Sequence, residues 1–208
     1  MEKENVQYFL EKSNLKNLDK DKIRMAYLLA EKKFKHKNRD SWEPYFEHLV
    51  RTAKIIINEF KKIDTDRIIL ALIHDIKEDT NIYDDTIEYM FWKNMLKRLK
   101  SISKNDEKLK QKTYEERKQK YFERLLKYED RVVIDVKLAD RIDNLRTMKW
   151  VFSKDKILKK IDETKKYLLP LAEKHNKKAL KLIKEEIIKL EKYLSKIELT
   201  ENLSSSKK

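Results

Sequence analysis

Not one of the 208 residues is a glycine, and only Pro44 and Pro170 restrict the backbone through a ring. Walker-type phosphate loops and the glycine fingerprint of dinucleotide-binding folds are therefore excluded. Asparagine best replaces glycine at left-handed helix ends, and Asn38, Asn81, Asn105 and Asn176 stand at the expected breaks. Between those breaks, helical spacing covers nearly the whole chain. Asp19 caps a helix running to about Lys37, with Ile23, Tyr27, Ala30 and Phe34 on one face. Ser41 precedes Trp42-Glu43-Pro44, and a proline in the first turn suits the start of a helix carrying Tyr45, Leu49, Ala53, Ile56 and Phe60 inward. Over 65–79, Ile68, Ile69, Leu72, Ile73 and Ile76 leave little polar face, which predicts a central, buried helix. Further helices fit 84–100, 113–127, 129–149, 155–174 and 177–195. Ser103–Lys112 reads as a polar loop and residues 201–208 as a disordered tail. The expectation is an all-α fold of about eight helices, one domain over residues 1–200.

Hydrophobic residues make up 40% of the chain, enough for a sizeable core beside a charged content of 42%. Lys and Arg number 51 against 37 Asp and Glu, a formal charge of +14. That surplus fits an anionic partner without choosing among nucleic acid, a polyphosphorylated nucleotide and a membrane surface. The bases are interleaved with acids, as on solvated helix faces, so nucleic-acid binding is not expected. The absence of cysteine excludes disulfides, thiolate metal ligation and a thiol nucleophile. No apolar run approaches the roughly 18 residues that span a bilayer. Residues 1–5 lack the apolar stretch of a signal peptide. The expectation is a soluble, cytoplasmic protein with no membrane partner.

Chemistry concentrates in His74-Asp75-Ile76-Lys77-Glu78-Asp79-Thr80. A core helix that is apolar until Ile73 and then presents a histidine and three acids carries desolvation costs that need compensation. Helical geometry stacks His74 over Glu78 and Asp75 over Asp79. Two adjacent potential ligands, with two carboxylates one turn on, suit a divalent cation beside an activated water. The bland alternative is a helix end whose acids run into solvent, with His74 a hydrogen-bonded core histidine. His48 interrupts an apolar helix face in Tyr45-Phe46-Glu47-His48-Leu49-Val50, as an inward ligand or a satisfied core histidine would. In 136–147, helical spacing aligns Lys137, Asp140, Asn144 and Thr147 in one stripe, suited to a metal and a phosphate together. Ile134, Leu138, Ile142 and Leu145 form the buried side, leaving that stripe at its edge.

The order His48, His74-Asp75, Asp140 resembles the metal-ligand signature of the HD superfamily of phosphohydrolases. More narrowly, residues 39–48, 74–80 and 137–147 resemble the hydrolase domain of RelA/SpoT-type alarmone enzymes. Glu163-Thr164 and Leu169-Pro170-Leu171-Ala172 are similar to the stretch that closes that domain. The resemblance implies Mn²⁺-dependent removal of the 3′-pyrophosphate from guanosine tetra- or pentaphosphate. It implies that His48, His74, Asp75 and Asp140 hold the metal, and that Glu78 and Asp79 position or deprotonate the attacking water. It places Arg39 on the guanine and Tyr45, Asn144 and Thr147 beside the nucleotide. Lys137, Arg141 and Arg146 are candidates for phosphate contacts, the two arginines equally for structural ion pairs. With no second domain in the chain, the expectation is a stand-alone small alarmone hydrolase.

The chain departs from the family pattern at several positions. Trp42 stands where glycine is usual, Asp40 where lysine is frequent and Phe34 where histidine is common. Leu49 follows His48 in place of proline, and Asp143 replaces a frequent histidine. A shell of two imidazoles and two carboxylates is compatible with Mn²⁺, Fe²⁺, Co²⁺ or Zn²⁺. The competing readings are an HD phosphohydrolase for a deoxynucleotide, a nucleotide cofactor phosphate or a cyclic dinucleotide, and a basic helical module for nucleic acid.

Overall fold

The structure, a computed structural model, describes residues 6–12, 19–104, 113–127 and 129–205. It divides into two compact units, 1–140 and 141–208. Every regular element among the described residues is helical, with one isolated bridge between Asn38 and Pro44. The first unit holds α1 (Val6–Lys12), α2 (Lys20–Phe34), α3 (Tyr45–Lys54), α4 (Thr65–Ile73), α5 (Ile76–Asp79), α6 (Asp84–Phe91), α7 (Lys93–Ile102) and α8 (Tyr114–Lys127). Helix α9 (Arg131–Thr147) contains the division, and α10 (Lys154–Glu163), α11 (Leu169–His175) and α12 (Lys177–Ser205) follow it. None of the described helices is long and apolar enough to cross a membrane.

Local signals account for most of these boundaries. Asp19 caps α2 by accepting from the Lys22 N–H, and Asp64 caps α4 by accepting from that of Arg67, both at 2.9 Å. Pro44 occupies the N-cap of α3, where a missing donor is harmless. Helix α4 is central, as its composition predicts: every residue from Ile68 to Ile73 is buried, and it packs against α2, α3 and α7. Helix α1 was not anticipated; Phe9 and Leu10 are buried, with the Phe9 ring 5.4 Å from that of Tyr27.

Three expected helices are interrupted. The segment 65–79 stops at Ile73 and restarts at Ile76, with Asp75 at φ −93° and ψ 0°, in the bridge region. The segment 84–100 breaks at Trp92, whose φ of 81° no helix accommodates. The segment 155–174 loosens into a π-helical turn over Thr164–Leu168. Pro170 lacks an N–H, so the carbonyl four residues before it has no ordinary partner, and a wider turn relieves the mismatch. Helix α12 continues to Ser205, into the tail expected to be disordered. Elongating a nucleated helix costs little, and Glu201 and Leu203 are good helix formers. Residues 206–208, and 105–112 of the expected polar loop, lie outside the described residues.

Among the described residues, asparagine does not take the left-handed positions. Positive φ falls at Trp42, Lys61, Trp92 and Glu129. Asn176 instead has φ −152°, and its side-chain oxygen accepts from the Ala179 N–H at 3.1 Å, capping the last helix. Without glycine, chain direction at these points follows from packing on either side, and bulky residues carry the strain. Lys61 is the cleanest case: exposed, at φ 57° and ψ 40°, it ends the π-helical turn Ile55–Phe60. Lys61→Gly is expected to stabilise the protein by about 1 kcal/mol, raising the melting temperature by roughly 2–4 °C. An unchanged or lower melting temperature by calorimetry would show that this strain is already relieved.

Candidate metal centre

Four segments of the first unit converge on one point. Helix α3 presents His48 one turn after Pro44, α4 ends at His74, the following turn holds Asp75, and α9 supplies Asp140. His74 Nδ1 lies 2.8 Å from the Ala71 carbonyl, which can only accept, so the ring proton sits on Nδ1 and the Nε2 lone pair faces the centre. Both imidazoles are buried, with centroids 5.3 Å apart. Asp140 Oδ1 is 3.3 Å from His48 Nε2 and 3.9 Å from His74 Nε2. One donor atom from each of His48, His74 and Asp140 lies within 4.8 Å of the others, a group that can hold a metal ion. Asp75 flanks it, with Oδ2 at 3.2 Å from His74 Nε2 and 3.7 Å from His48 Nε2.

The donor set fits a divalent cation on two further grounds. His74 Nε2 is buried yet meets no hydrogen-bond geometry, although Asp75 is near, and a cation would satisfy such an atom. The carboxylates are also held as anions. Burial opposes ionisation of Asp75, but the charges of His74 and His48 hold its carboxyl below the usual carboxylate range. Burial opposes ionisation of Asp140 too, and Lys137 with the two histidines outweighs it. For His74, burial disfavours the charged ring while neighbouring Asp75 raises its pKa, a sign of the negative field a cation would meet.

A surrounding layer of side chains orients these groups. Lys137 is buried with its ammonium 2.8 Å from Asp140 Oδ2, which leaves Oδ1 toward the imidazoles. The Tyr45 hydroxyl donates to Asp75 Oδ2 at 2.7 Å, and its ring stacks on Phe34 at 4.9 Å. Burial, then the Asp75 charge, push the Tyr45 phenol far above its ordinary pKa, so it remains a donor. Glu78 and Asp79 follow on α5, nearer solvent. Asp79 Oδ1 pairs with Lys37 Nζ at 2.5 Å. Glu78 Oε1 accepts from the Lys104 backbone N–H at 2.7 Å, with Lys104 Nζ 3.8 Å from Oε2.

The other predicted residues fall as follows. Arg39 Nη1 donates to Glu43 Oε1 at 2.9 Å, and Arg51 grips the same carboxylate. Burial opposes ionisation of Glu43, and Arg51 and Arg39 together lower its pKa. Trp42, at the position where the sequence departs from glycine, has φ 63° and is 85% exposed. Asn144 and Thr147 lie in the second unit, half-buried, where the Thr147 hydroxyl donates to the Asp143 carbonyl at 3.0 Å. Arg141 pairs with buried Glu163, and Arg146 Nε lies 3.2 Å from Glu186, so both arginines make structural ion pairs. Lys137, a candidate for a phosphate contact, is engaged with Asp140. Lys37 and Lys104 were not anticipated; nothing in their spacing marks them, and only tertiary contact brings them to the acidic pair.

The HD domain model matches residues 26–176, and the chain belongs to that family. Within it, the chain is similar to the bifunctional (p)ppGpp synthase/hydrolase SpoT of Escherichia coli K12, 34% identical over 145 residues, or 69% of this chain and 20% of that protein. It is also 34% identical over 153 residues to the guanosine-3′,5′-bis(diphosphate) 3′-pyrophosphohydrolase of Aquifex aeolicus, covering 73% of this chain and 21% of that one. The chain thus spans about a fifth of the length of the curated relatives it matches. Among solved structures, one described as a metazoan orthologue of SpoT that hydrolyzes ppGpp shares the fold. Its TM-score is 0.71 at 21% identity, over 81% of this chain and 94% of that chain.

Proposed function

We propose that this chain is a metal-dependent phosphohydrolase that removes the 3′-pyrophosphate from guanosine tetra- or pentaphosphate. The observation that carries the reading is the convergence of His48, His74 and Asp140 within 4.8 Å, inside the segment similar to relatives named for that activity. Asp75 completes the ligand set. Mn²⁺ is the proposed cation, and mixed nitrogen and oxygen donors accept other divalent transition metals as well. Such a cation would offset phosphate charge and acidify water at neutral pH. Glu78 and Asp79, on the turn after His74, orient the attacking water and take its proton. Tyr45 and Lys137 hold Asp75 and Asp140 in place.

Tyr45→Phe keeps the ring on Phe34 and removes only the hydroxyl. Loss of a group that orients a ligand is expected to weaken metal affinity by about 10- to 100-fold, measured by competition with a fluorescent chelator. Unchanged affinity would mean that Asp75 is oriented without it.

The substrate is tested by initial rates on guanosine and adenosine 3′-pyrophosphates, deoxynucleoside triphosphates and phosphorylated nicotinamide cofactors, with phosphate and pyrophosphate resolved separately. Pyrophosphate release from the guanosine substrate is expected, favoured over adenosine by about 10- to 100-fold if buried polar groups read the base. Preference for a 5′-triphosphate would move the protein to another branch of the family. Arg39 is proposed to lie against the purine, its guanidinium plane fixed by Glu43. Arg39→Ala should raise KM with little change in kcat; an unchanged KM would confine Arg39 to bracing its loop.

A further inference from the structure

Helices α7 and α8 carry two basic stripes that the metal centre does not use. Lys93, Lys97 and Lys100 follow at spacings of four and three on α7, and Lys120, Arg124 and Lys127 do the same on α8. Each trio therefore occupies one helix face. The two stripes line adjoining cavities of about 750 and 460 Å³ that share Arg124. Six bases face two acids there, Glu88 and Glu123, and Asp84 engages Lys100 at 2.5 Å. Leu96 supplies an apolar lining.

We propose that this groove is a second anion site, taking a polyphosphate chain, and that its occupancy is felt at Glu78. The larger cavity falls in the range of small-molecule sites, about 300–1,000 Å³. Each stripe extends only about 10 Å along its helix, the span of a short polyphosphate. A single-stranded nucleic-acid groove tracks a longer backbone, about 4–16 nucleotides.

The coupling runs through Arg124. Its Nη2 donates to the Ser103 carbonyl at 2.8 Å and to that of Ser101 at 3.3 Å, fastening the end of α7. The next residue, Lys104, donates its backbone N–H to Glu78 Oε1. Phosphate oxygens are stronger acceptors for a guanidinium than neutral carbonyls. A polyphosphate in the groove draws Arg124 off Ser101 and Ser103, loosens Lys104 and releases Glu78. This second part rests on the proposed role of Glu78; the binding part does not.

The test titrates the protein with inorganic tripolyphosphate and, separately, with GTP, by calorimetry without divalent cations and in the Asp75→Asn background. Both ligands should bind, the tighter naming the source of the phosphate chain. The double variant Lys97→Glu/Lys120→Glu, with both positions exposed, should weaken binding at least tenfold. Unchanged affinity in that variant would overturn the site. A 20-nucleotide single-stranded RNA binding at least tenfold more tightly than either, and lost in the double variant, would reassign the groove to nucleic acid. For the coupling, saturating tripolyphosphate should lower wild-type kcat at least twofold at saturating substrate and excess Mn²⁺, while the double variant stays insensitive. Equal inhibition of both proteins would mark metal chelation and overturn the coupling, as would an unchanged kcat.

Discussion

An Asp75→Asn variant is expected to keep the helical spectrum of the wild type and lose both its bound divalent cation and its turnover. The substitution preserves shape and the ability to accept from Tyr45. It removes one negative charge, because the Asp75 carboxyl is held below the usual carboxylate range and is ionised throughout the working pH range. Two imidazoles, which ligate a metal only in their neutral form, and Asp140, already neutralised in part by Lys137, would then face the cation with little net charge. Groups that merely orient a ligand are worth about 10- to 100-fold in metal affinity, so a direct ligand should be worth more than about 100-fold. Metal content by mass spectrometry after desalting, and turnover at saturating Mn²⁺, measure the two losses separately. Stoichiometric metal together with turnover within tenfold of wild type would remove Asp75 from the ligand set.

Glu78→Gln and Asp79→Asn are expected to behave oppositely with respect to metal, retaining the cation and losing turnover. Loss of general-base assistance costs on the order of 10²-fold or more. The two positions should not be equivalent. The Asp79 carboxylate is engaged by the Lys37 ammonium at 2.5 Å, which ties up the oxygen that would otherwise reach a water. Glu78 accepts a backbone N–H on one oxygen and has an ammonium only at 3.8 Å from the other. The larger fall in kcat is therefore expected for Glu78→Gln, with Asp79→Asn acting more through the Lys37 contact and the order of the turn. Single-turnover rates at fixed metal occupancy distinguish the two. If both variants keep wild-type rates, water activation does not pass through this pair.

Residues with one dominant requirement were legible in the sequence. Ile68 to Ile73 could satisfy their burial only inside a helix core, and α4 is there. The ordered motifs around His48, His74 and Asp140 marked a centre whose three donors now lie together. Helix α9 was harder. All its residues from Val132 to Asp143 are buried, charged ones included, so no polar face remains to reveal its orientation. Its acids are compensated instead by Lys62 and Arg67 from other segments at Asp135, and at Asp140 by the two histidines from other segments together with Lys137 one turn before it. A stripe containing Lys137 and Asp140 therefore looked like the edge of a solvated face and is interior.

Composition, periodicity and motif order were enough for the helical class, the buried helix and the ligand candidates, because each depends on neighbours within a few turns or on residue chemistry. Tertiary structure decided the break at His74-Asp75, the left-handed backbones at Trp42, Lys61 and Trp92, and the contacts of Lys37 and Lys104 with the acidic pair. Local propensity favours continuing the helix through Asp75, and it favours asparagine over tryptophan at positive φ. Both preferences are worth about 1–2 kcal/mol or less, below what packing a core of this size can override. The turn at His74 thus takes the path that the surrounding helices impose, and that path turns two adjacent side chains toward one point.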